Sequence, residues 1–564
     1  MTEVMSVPNG PAHDAAWGEG WDHVSDVVVV GSGVAALSAA IAAAKRGSDV
    51  VVLERSHSLG GTTAKSSATM WIPNNPLMRA HGLADEREAA LRFMAKVAYP
   101  ADYYADHPTL GLPERKFDLL AAFYDHGSEA FQELADLDAI PYDPDAMPGF
   151  PDYHADFVED DAPVGRSIRM WLPPDYRFGE HSTGGQRLIE AMRRVAESFG
   201  VTVRTQARVV HLVRDDDGRV VGVEARVRTT TQLIGARQAV VFGSGGFLHN
   251  PDMASTFLRG PVFGGAAAEE ATGDFVNIGL EVGAQMGNMT FAWWDQVVLE
   301  AALRTRSTLR DAVYLFGDSM MIVNRHGRRV MNEKMPYNER GQVHFHWNPD
   351  RREYSNLLLF LVFDEATARD SRPSRHRYPL PLSADSEHDV LTASTLPELG
   401  TAIRTRLREL APEIAGFTLA DDFEDGLIAQ VARFDDQARV GVDEDHRRGE
   451  TPIEVAWASE PREPGQANPT MYPFADQGPY HCIILAGGAL DTKGGPVADR
   501  HGRIHASDGS PIPGLYGAGN CVASPTGQGY YGPGGTVGPA LVFGWLAGRH
   551  ASTLERHAPR FADF

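Results

Sequence analysis

Two cysteines, Cys482 and Cys521, are all that 564 residues contain, and neither belongs to a CxxC or Cys/His cluster. That scarcity excludes a disulfide scaffold and a zinc site, and it makes a reducing cytoplasm the natural compartment. Positive charge is also short: 52 Lys and Arg stand against 75 Asp and Glu, for a formal net charge of −23. So acidic a balance argues against nucleic acid or anionic lipid as the main partner, since both demand a cationic face, though it does not forbid a local basic patch. Long hydrophobic runs are missing too. The most apolar stretch, Val27 to Ala44, is broken by Gly31, Ser32, Gly33 and Ser38, so it reads as strand, turn and helix rather than a transmembrane segment. Residues 1–25 show no basic region followed by an apolar core, which argues against a signal peptide and leaves a disordered leader as the expectation. Loose membrane association would then have to come from an apolar surface patch.

Glycine, by contrast, is plentiful, 57 of 564 residues. Such an excess suits tight turns and close approach of backbone to a ligand. Asp26 to Val30 reads as a buried strand, Gly31 to Ala36 as a turn, and Leu37 to Arg46 as a helix ended by Gly47. Asp49 to Glu54 follows as a second buried strand, completing a βαβ unit of a doubly wound parallel sheet. Gly31-Ser32-Gly33-Val34-Ala35-Ala36 fits G-x-G-x-x-G/A between that strand and helix. Gly31 permits the turn, Gly33 lets backbone approach a pyrophosphate, and Ala36 allows close helix–strand packing. Glu54 ends the second strand where a carboxylate accepts hydrogen bonds from an adenosine ribose.

Further strands are expected over Val201 to Arg228, with a turn at Asp215 to Gly218, and over Gln238 to Phe242. From about residue 289 to 475, aromatics, Arg clusters and charged helices replace the Gly-punctuated strands, which resume from Tyr480. The expected fold is α/β. A Rossmann-like domain (26–288 and 476–564) is interrupted by an inserted α+β catalytic or capping domain (289–475). A second Gly turn, Gly60-Gly61-Thr62-Thr63, follows the second strand, and Gly519-Asn520 and Gly532-Pro533-Gly534-Gly535-Thr536-Val537 lead into a last helix. A cofactor that needs both ends of the chain is long and buried, which favours FAD over a nicotinamide. The last helix could aim its positive end at the flavin N1–C2=O edge.

With these segments in place the chain resembles flavoproteins of the fumarate-reductase and 3-ketosteroid-dehydrogenase superfamily, and among them the 3-ketosteroid Δ1-dehydrogenases. The resemblance runs from residue 26 through Trp71-Ile72-Pro73-Asn74-Asn75, Gly243-Ser244-Gly245-Gly246-Phe247, Thr272-Gly273-Asp274, Asn332-Glu333, Pro336-Tyr337, Thr492-Lys493-Gly494-Gly495 and Gly514 to Ala540. It implies non-covalent FAD and adds Arg55, Ser66, Ser67, Val209, Ser244 and Gly245 to the cofactor residues. It also implies removal of a proton α to a ketone and of a hydride from the β carbon, with a quinone or redox protein as electron acceptor. The base falls on Tyr337, and Tyr153 is its expected helper, with Phe150, Tyr142, Tyr103 and Tyr104 in the same uncertain insertion. The Tyr530 hydroxyl and the Gly534 N–H would hold the enolate oxygen, Tyr531 being the adjacent rival. The expected substrate is a 3-ketosteroid desaturated at C1–C2 or a related cyclic ketone. The alternative is a fumarate-reductase-like enzyme that reduces an unsaturated carboxylate with arginines.

Trp293 and Trp294 read equally as pocket or core. Arg325, Arg328, Arg329 and Arg340 read as a solvated face, and both cysteines as structural thiols. Departures from the family pattern are Ser67-Ala68-Thr69 in place of a Gly run, Asp491 in place of Gly before Thr-Lys-Gly-Gly, and Gln528-Gly529 before Tyr530. They cluster where substrate would lie.

Overall fold

The computed structural model describes residues 17, 20–146, 149–154, 165–170, 183–312, 315–370, 379–384, 386–458 and 460–559. The valine run settles into a strand, His23–Val30, at the centre of a parallel sheet. Val27 lies opposite Val50 on one side and Ala239 on the other. Thr202–Arg204 extends the sheet beyond Val50–Leu53, and Pro511–Gly517 extends it beyond Thr230–Phe242. Such strands are buried on both faces, which is why they are apolar along their length. The hairpin Ala207–Arg214 and Val220–Val227 pairs antiparallel onto Thr230–Phe242. That last strand starts eight residues before the expected Gln238, because its polar first residues, Thr230 and Thr231, run out exposed.

The leader expected over 1–25 is shorter than that. The first strand already begins at His23, and Trp17 and Trp21 are buried edge-to-face, 5.2 Å apart, in a cluster with Val221. Two indole rings bury too much apolar surface to be left in solvent. Residues 1–16, 18 and 19 lie outside the described ones.

A second sheet is antiparallel, in the order Ala292–Val298, Tyr480–Thr492, Leu358–Asp364, Met320–Val323. Its central strand, Tyr480–Thr492, therefore lies beyond the boundary at 475/476 expected from the return of glycines. The reason is local. A Cβ at Gly487 would stand 2.9 Å from Phe345, and one at Gly488 2.5 Å from Val297, so these glycines serve packing inside the second sheet and not a cofactor.

Two helices fix the geometry of the first domain. Val34–Lys45 leaves the first strand, and Val537–Ala551 packs along it. Any side chain at Gly544 would overlap the Ala35 carbonyl, and any at Gly548 the Ala39 carbonyl. Small residues four apart on both helices thus let the backbones touch. Overpacking a tight contact costs about 1–3 kcal/mol. Gly544→Ala is accordingly expected to lower stability by about 2 kcal/mol and to speed release of any bound cofactor, read by thermal unfolding and cofactor fluorescence.

Candidate active site

A cavity of about 710 Å³ runs between the sheets from Glu54 to Tyr337. At one end, Glu54 ends its strand buried. Its Oε2 accepts from Ser32 Oγ (2.5 Å) and its Oε1 from Ser56 N (2.8 Å), and burial raises its pKa. Ser32 Oγ in turn accepts from Gly60 N (2.8 Å), joining the two glycine turns. Gly31 has φ +98°, and a Cβ there would lie 2.5 Å from the Gly243 carbonyl oxygen, so no other residue fits. Gly33 and Thr536 precede the two packed helices without side-chain caps, and Val34, Thr536 and Val537 line the cavity. Two helix N-termini therefore present N–H groups and partial positive charge to one space, as a dinucleotide's phosphates and an electron-rich ring require.

The cavity brings together most of the expected cofactor residues: Gly31, Gly33, Glu54, Arg55, the turn Gly60 to Thr63, Ser66, Ser67, Val209, Ser244, Gly245, Gly519, Asn520, Thr536 and Val537. Ala36 and Gly535 are not on its wall. Ala36 is buried, its backbone N 2.7 Å from where a Gly243 Cβ would sit, and Gly535 backs onto the Tyr530 ring. Arg55 is engaged by Asp274 (3.2 Å) and the Thr272 hydroxyl (2.6 Å).

At the other end stands a box of aromatic rings. Tyr153, Tyr337 and Tyr530 meet edge-on with centroids 5.3–5.6 Å apart, all three on the cavity wall and almost fully buried. Trp457 closes the box against Tyr153 (5.3 Å), and Trp293 packs on Tyr530 (5.1 Å). These contacts separate the rivals left open above. Tyr531 points away, against Trp71 (4.8 Å), in the main core. Tyr142 packs on Phe131, Tyr103 joins the main core, and Tyr104 is exposed; Phe150 packs against the box as an accessory. Gly534, also on the wall, has φ +92° and no room for a Cβ against Thr69 and Met70.

Buried polar groups hold the box in place. Tyr153 N donates to the Tyr531 carbonyl (3.0 Å). Its neighbour Asp152 accepts from Trp71 Nε1 (2.6 Å) and Arg166 Nη1 (2.8 Å), and Arg166 also grips Asp85. Lys493 Nζ donates to the Gly529 carbonyl (2.5 Å) just before Tyr530 and sits 3.8 Å over the Trp293 ring. Trp293 Nε1 donates to Asn520 Oδ1 (3.0 Å), and Asn520 Nδ2 to Asp491 (3.0 Å). Asp491 further accepts from Thr492 N (2.8 Å) and Gly246 N (3.2 Å), and burial pushes its pKa up to about 6.

Several expectations need correction or division. Arg329 and Arg340 are not on a solvated face. Arg329 is buried in ion pairs with Glu333 (2.8 Å) and Asp443 (2.9 Å), and Arg340 is 1% exposed beside Tyr337; Arg328 alone of the four is open to solvent. Trp294, unlike Trp293, is core, packed on Phe345. Cys482 and Cys521 are buried and unpaired with each other, and burial raises both thiols, that of Cys521 to about 11. Sequence reasoning had Asp491 only as a departure; its place one residue before Thr492-Lys493-Gly494-Gly495, at the end of a strand facing the glycine turns, was the signal available. Among the described residues no cluster could hold a metal, and no helix is long and apolar enough to cross a membrane.

A family model described as FAD binding domain matches residues 26–537. A 4-oxocyclohexanecarboxylate 2-dehydrogenase of Sinomonas cyclohexanicum is 29% identical over 95% of this chain and 94% of its own. A 3-oxosteroid 1-dehydrogenase of Mycolicibacterium smegmatis is 31% identical over 93% and 96%. The crystal structure of a 3-ketosteroid Δ1-dehydrogenase from Sterolibacterium denitrificans superposes with a TM-score of 0.77 at 23% identity, over 94% of this chain and 99% of that one.

The raised Asp491 pKa has a stability consequence. The native carboxyl holds its proton more tightly than the unfolded one, so its contribution is complete below about pH 4 and is lost as pH rises through 6. Asp491→Asn removes that titration. The fall in melting temperature between pH 5 and pH 8 should therefore be smaller in the variant than in the parent, by the equivalent of about 1.4 kcal/mol, as read by thermal unfolding across pH.

Proposed function

Because the chain belongs to the FAD-binding family that includes the 3-oxosteroid 1-dehydrogenases, and is thereby an FAD-dependent oxidoreductase acting on CH–CH bonds, we propose that it desaturates a cyclic ketone beside its carbonyl. The observation that carries this reading is the meeting of Tyr153, Tyr337 and Tyr530 at one end of the cofactor cavity. Glu54 would hold the ribose, the start of Val34–Lys45 the pyrophosphate, and the start of Val537–Ala551 the flavin. When bound, FAD supplies the acceptor for the hydride that leaves the β carbon.

The chain's own residues handle the proton and the carbonyl. Tyr337, as phenolate, takes the α proton onto its oxygen, and Tyr153, whose ring meets it edge-on at 5.6 Å, would favour that ionised form. Charge then gathers on the carbonyl oxygen, where the Tyr530 hydroxyl and the Gly534 N–H would receive it. Such donors act most strongly in a water-poor site, and the three tyrosines are no more than 4% exposed. Trp293 and Leu490 offer an apolar floor beside them.

A 3-oxosteroid, desaturated at C1–C2, is the substrate that the steroid-enzyme relative supports. A single-ring ketone is the second reading, and the relative named for 4-oxocyclohexanecarboxylate favours it. Reduction of an unsaturated carboxylate fits less well. Among the described residues the cations on the cavity wall are Arg55, drawn to Asp274 beside Glu54, and Lys65, which donates to Ser307 Oγ (2.6 Å). Reoxidation would fall to a quinone or a redox protein.

Anaerobic addition of androst-4-ene-3,17-dione, and separately of 4-oxocyclohexanecarboxylate, should bleach the flavin band with one of them. General bases contribute about 10²–10⁴-fold and an oxyanion donor about 10²–10³-fold. Tyr337→Phe is expected to slow bleaching by about 10³-fold and Tyr530→Phe by about 10²-fold, followed by stopped-flow absorbance. Undiminished bleaching in Tyr337→Phe would remove the tyrosine base.

A further inference from the structure

A tyrosine works as a base only when ionised, and an ordinary phenol, with a pKa of about 10, is almost wholly protonated at neutral pH. Burial disfavours the charged form further, and Tyr337 and Tyr153 are 4% and 2% exposed. A second neutral tyrosine stabilises a phenolate by one hydrogen bond at most. A positive charge nearby does more.

The short helix Tyr337–Gln342 brings one with it. Arg340 follows Tyr337 by three residues, the spacing that puts two side chains on one helical face. Its guanidinium turns back over the start of the helix. Nε donates to the Met335 carbonyl (3.0 Å), Nη1 to Gln296 Oε1 (3.0 Å) and Nη2 to the Ala312 carbonyl (2.6 Å). The residue is 1% exposed, and Tyr153 is among the groups that favour its charged form. Burial lowers its pKa only to about 10, so it stays charged at neutral pH.

We propose that Arg340 is the fixed cation that keeps the Tyr337–Tyr153 pair ionised, a positioning residue acting through the tyrosines without touching substrate. This deepens the reading of Tyr337 as base and rests on it. As the phenolate takes the α proton its charge is neutralised, while Arg340 keeps its own throughout. Other charges face the same region. Asp295 on Ala292–Val298, Asp311 in the loop beyond Leu299–Arg304, and Glu333 ahead of the helix all act on Arg340. Glu333 is already shared by Arg329 and Arg448. On the tyrosine side, His154 and Glu339 lie 3.6 Å apart, and Lys493 stands behind Trp293 within range of Glu339. Arg340 alone among these cations is on the helix that carries Tyr337.

The test is an ultraviolet difference titration of the tyrosinate band in the FAD-loaded protein. The parent chain should show one tyrosine ionising at least one pH unit below 10, since a nearby opposite charge shifts a pKa by about 1–3 units. Tyr337→Phe or Tyr153→Phe should abolish that signal. Arg340→Gln should raise it by at least one unit, and Arg340→Lys, which keeps the charge, should leave it low. The acid limb of ketone-driven flavin reduction should move with it. Retained flavin absorbance identifies folded variants. Absence of any low-pKa tyrosine in the parent overturns the proposal, as does an unmoved titration in flavin-bound Arg340→Gln. Should Arg340→Gln fail to hold flavin, Arg340→Lys decides: a tyrosine returned to its ordinary range overturns the proposal, and one kept low supports it. Failure of every ketone to bleach the flavin would strike the functional reading instead, with the tyrosinate titration still reporting on Arg340.

Discussion

Ala35 and Ala39 lie against Gly544 and Gly548 so closely that a methyl group on either glycine would overlap a carbonyl oxygen of the opposing helix. The helices concerned come from positions about 500 residues apart in the chain. Their contact sets where both N-termini end, and each opens into the same cavity without a side-chain cap. Val34 N already donates to Thr63 Oγ1 (3.2 Å), and what the two ends share is partial positive charge, which suits an anion because they converge. Were the helices held apart by ordinary side chains, as at the usual 8–10 Å, the glycine turns at Gly31 and Gly60 would face a wider and less charged gap. The alanine and glycine content of these helices therefore shapes the cavity, although none of Ala39, Gly544 and Gly548 is on its wall.

The aromatic end of the cavity is built on a different principle. Aromatic rings from separate segments fill it, and what aims them is a set of buried polar groups behind. Asp152, whose carboxyl burial lifts to about 6, is clamped between Trp71 and Arg166, and so fixes the backbone next to Tyr153. Lys493 does the same for the loop before Tyr530 through the Gly527 and Gly529 carbonyls. Burying such charges is costly, and replacing them by apolar groups often costs nothing. Their retention here fits a need for one orientation of the rings over maximal stability. The network running from Trp293 through Asn520 to Asp491 and Gly246 N links this end to the glycine turns.

Much of the first half of the molecule could be read from residue order alone. Periodicity places the βαβ unit, and the chemistry of Gly31 and Glu54 places a dinucleotide, because those features are local. The tyrosines were reached through family resemblance, since spacing says nothing about which of several aromatics meet in space. Tyr530 and Tyr531 are neighbours on the chain and point to different cores, a distinction made by Trp71 and Trp293 far away. The strand Tyr480–Thr492 was misplaced because glycines that relieve crowding against Phe345 and Val297 look the same on paper as glycines that admit a phosphate. Arg329 and Arg340 were read as solvated for a similar reason. A cluster of arginines is normally a wet surface, and only the carboxylates and carbonyls that converge from distant segments turn it into an interior.

The joining of early and late helices also makes the cofactor a ligand of the folded topology as a whole. Any molecule that binds the native chain and not the unfolded one adds RT ln(1 + [L]/Kd) to stability, about 4 kcal/mol at a thousandfold excess over Kd. Here that increment bridges segments that no local folding event can unite, because the helix Val34–Lys45 lacks its packing partner until Val537–Ala551 has been made and docked. Cellular supply of flavin would thus act on the abundance of this protein as well as on its activity, with the cofactor-free chain the form most exposed to proteolysis.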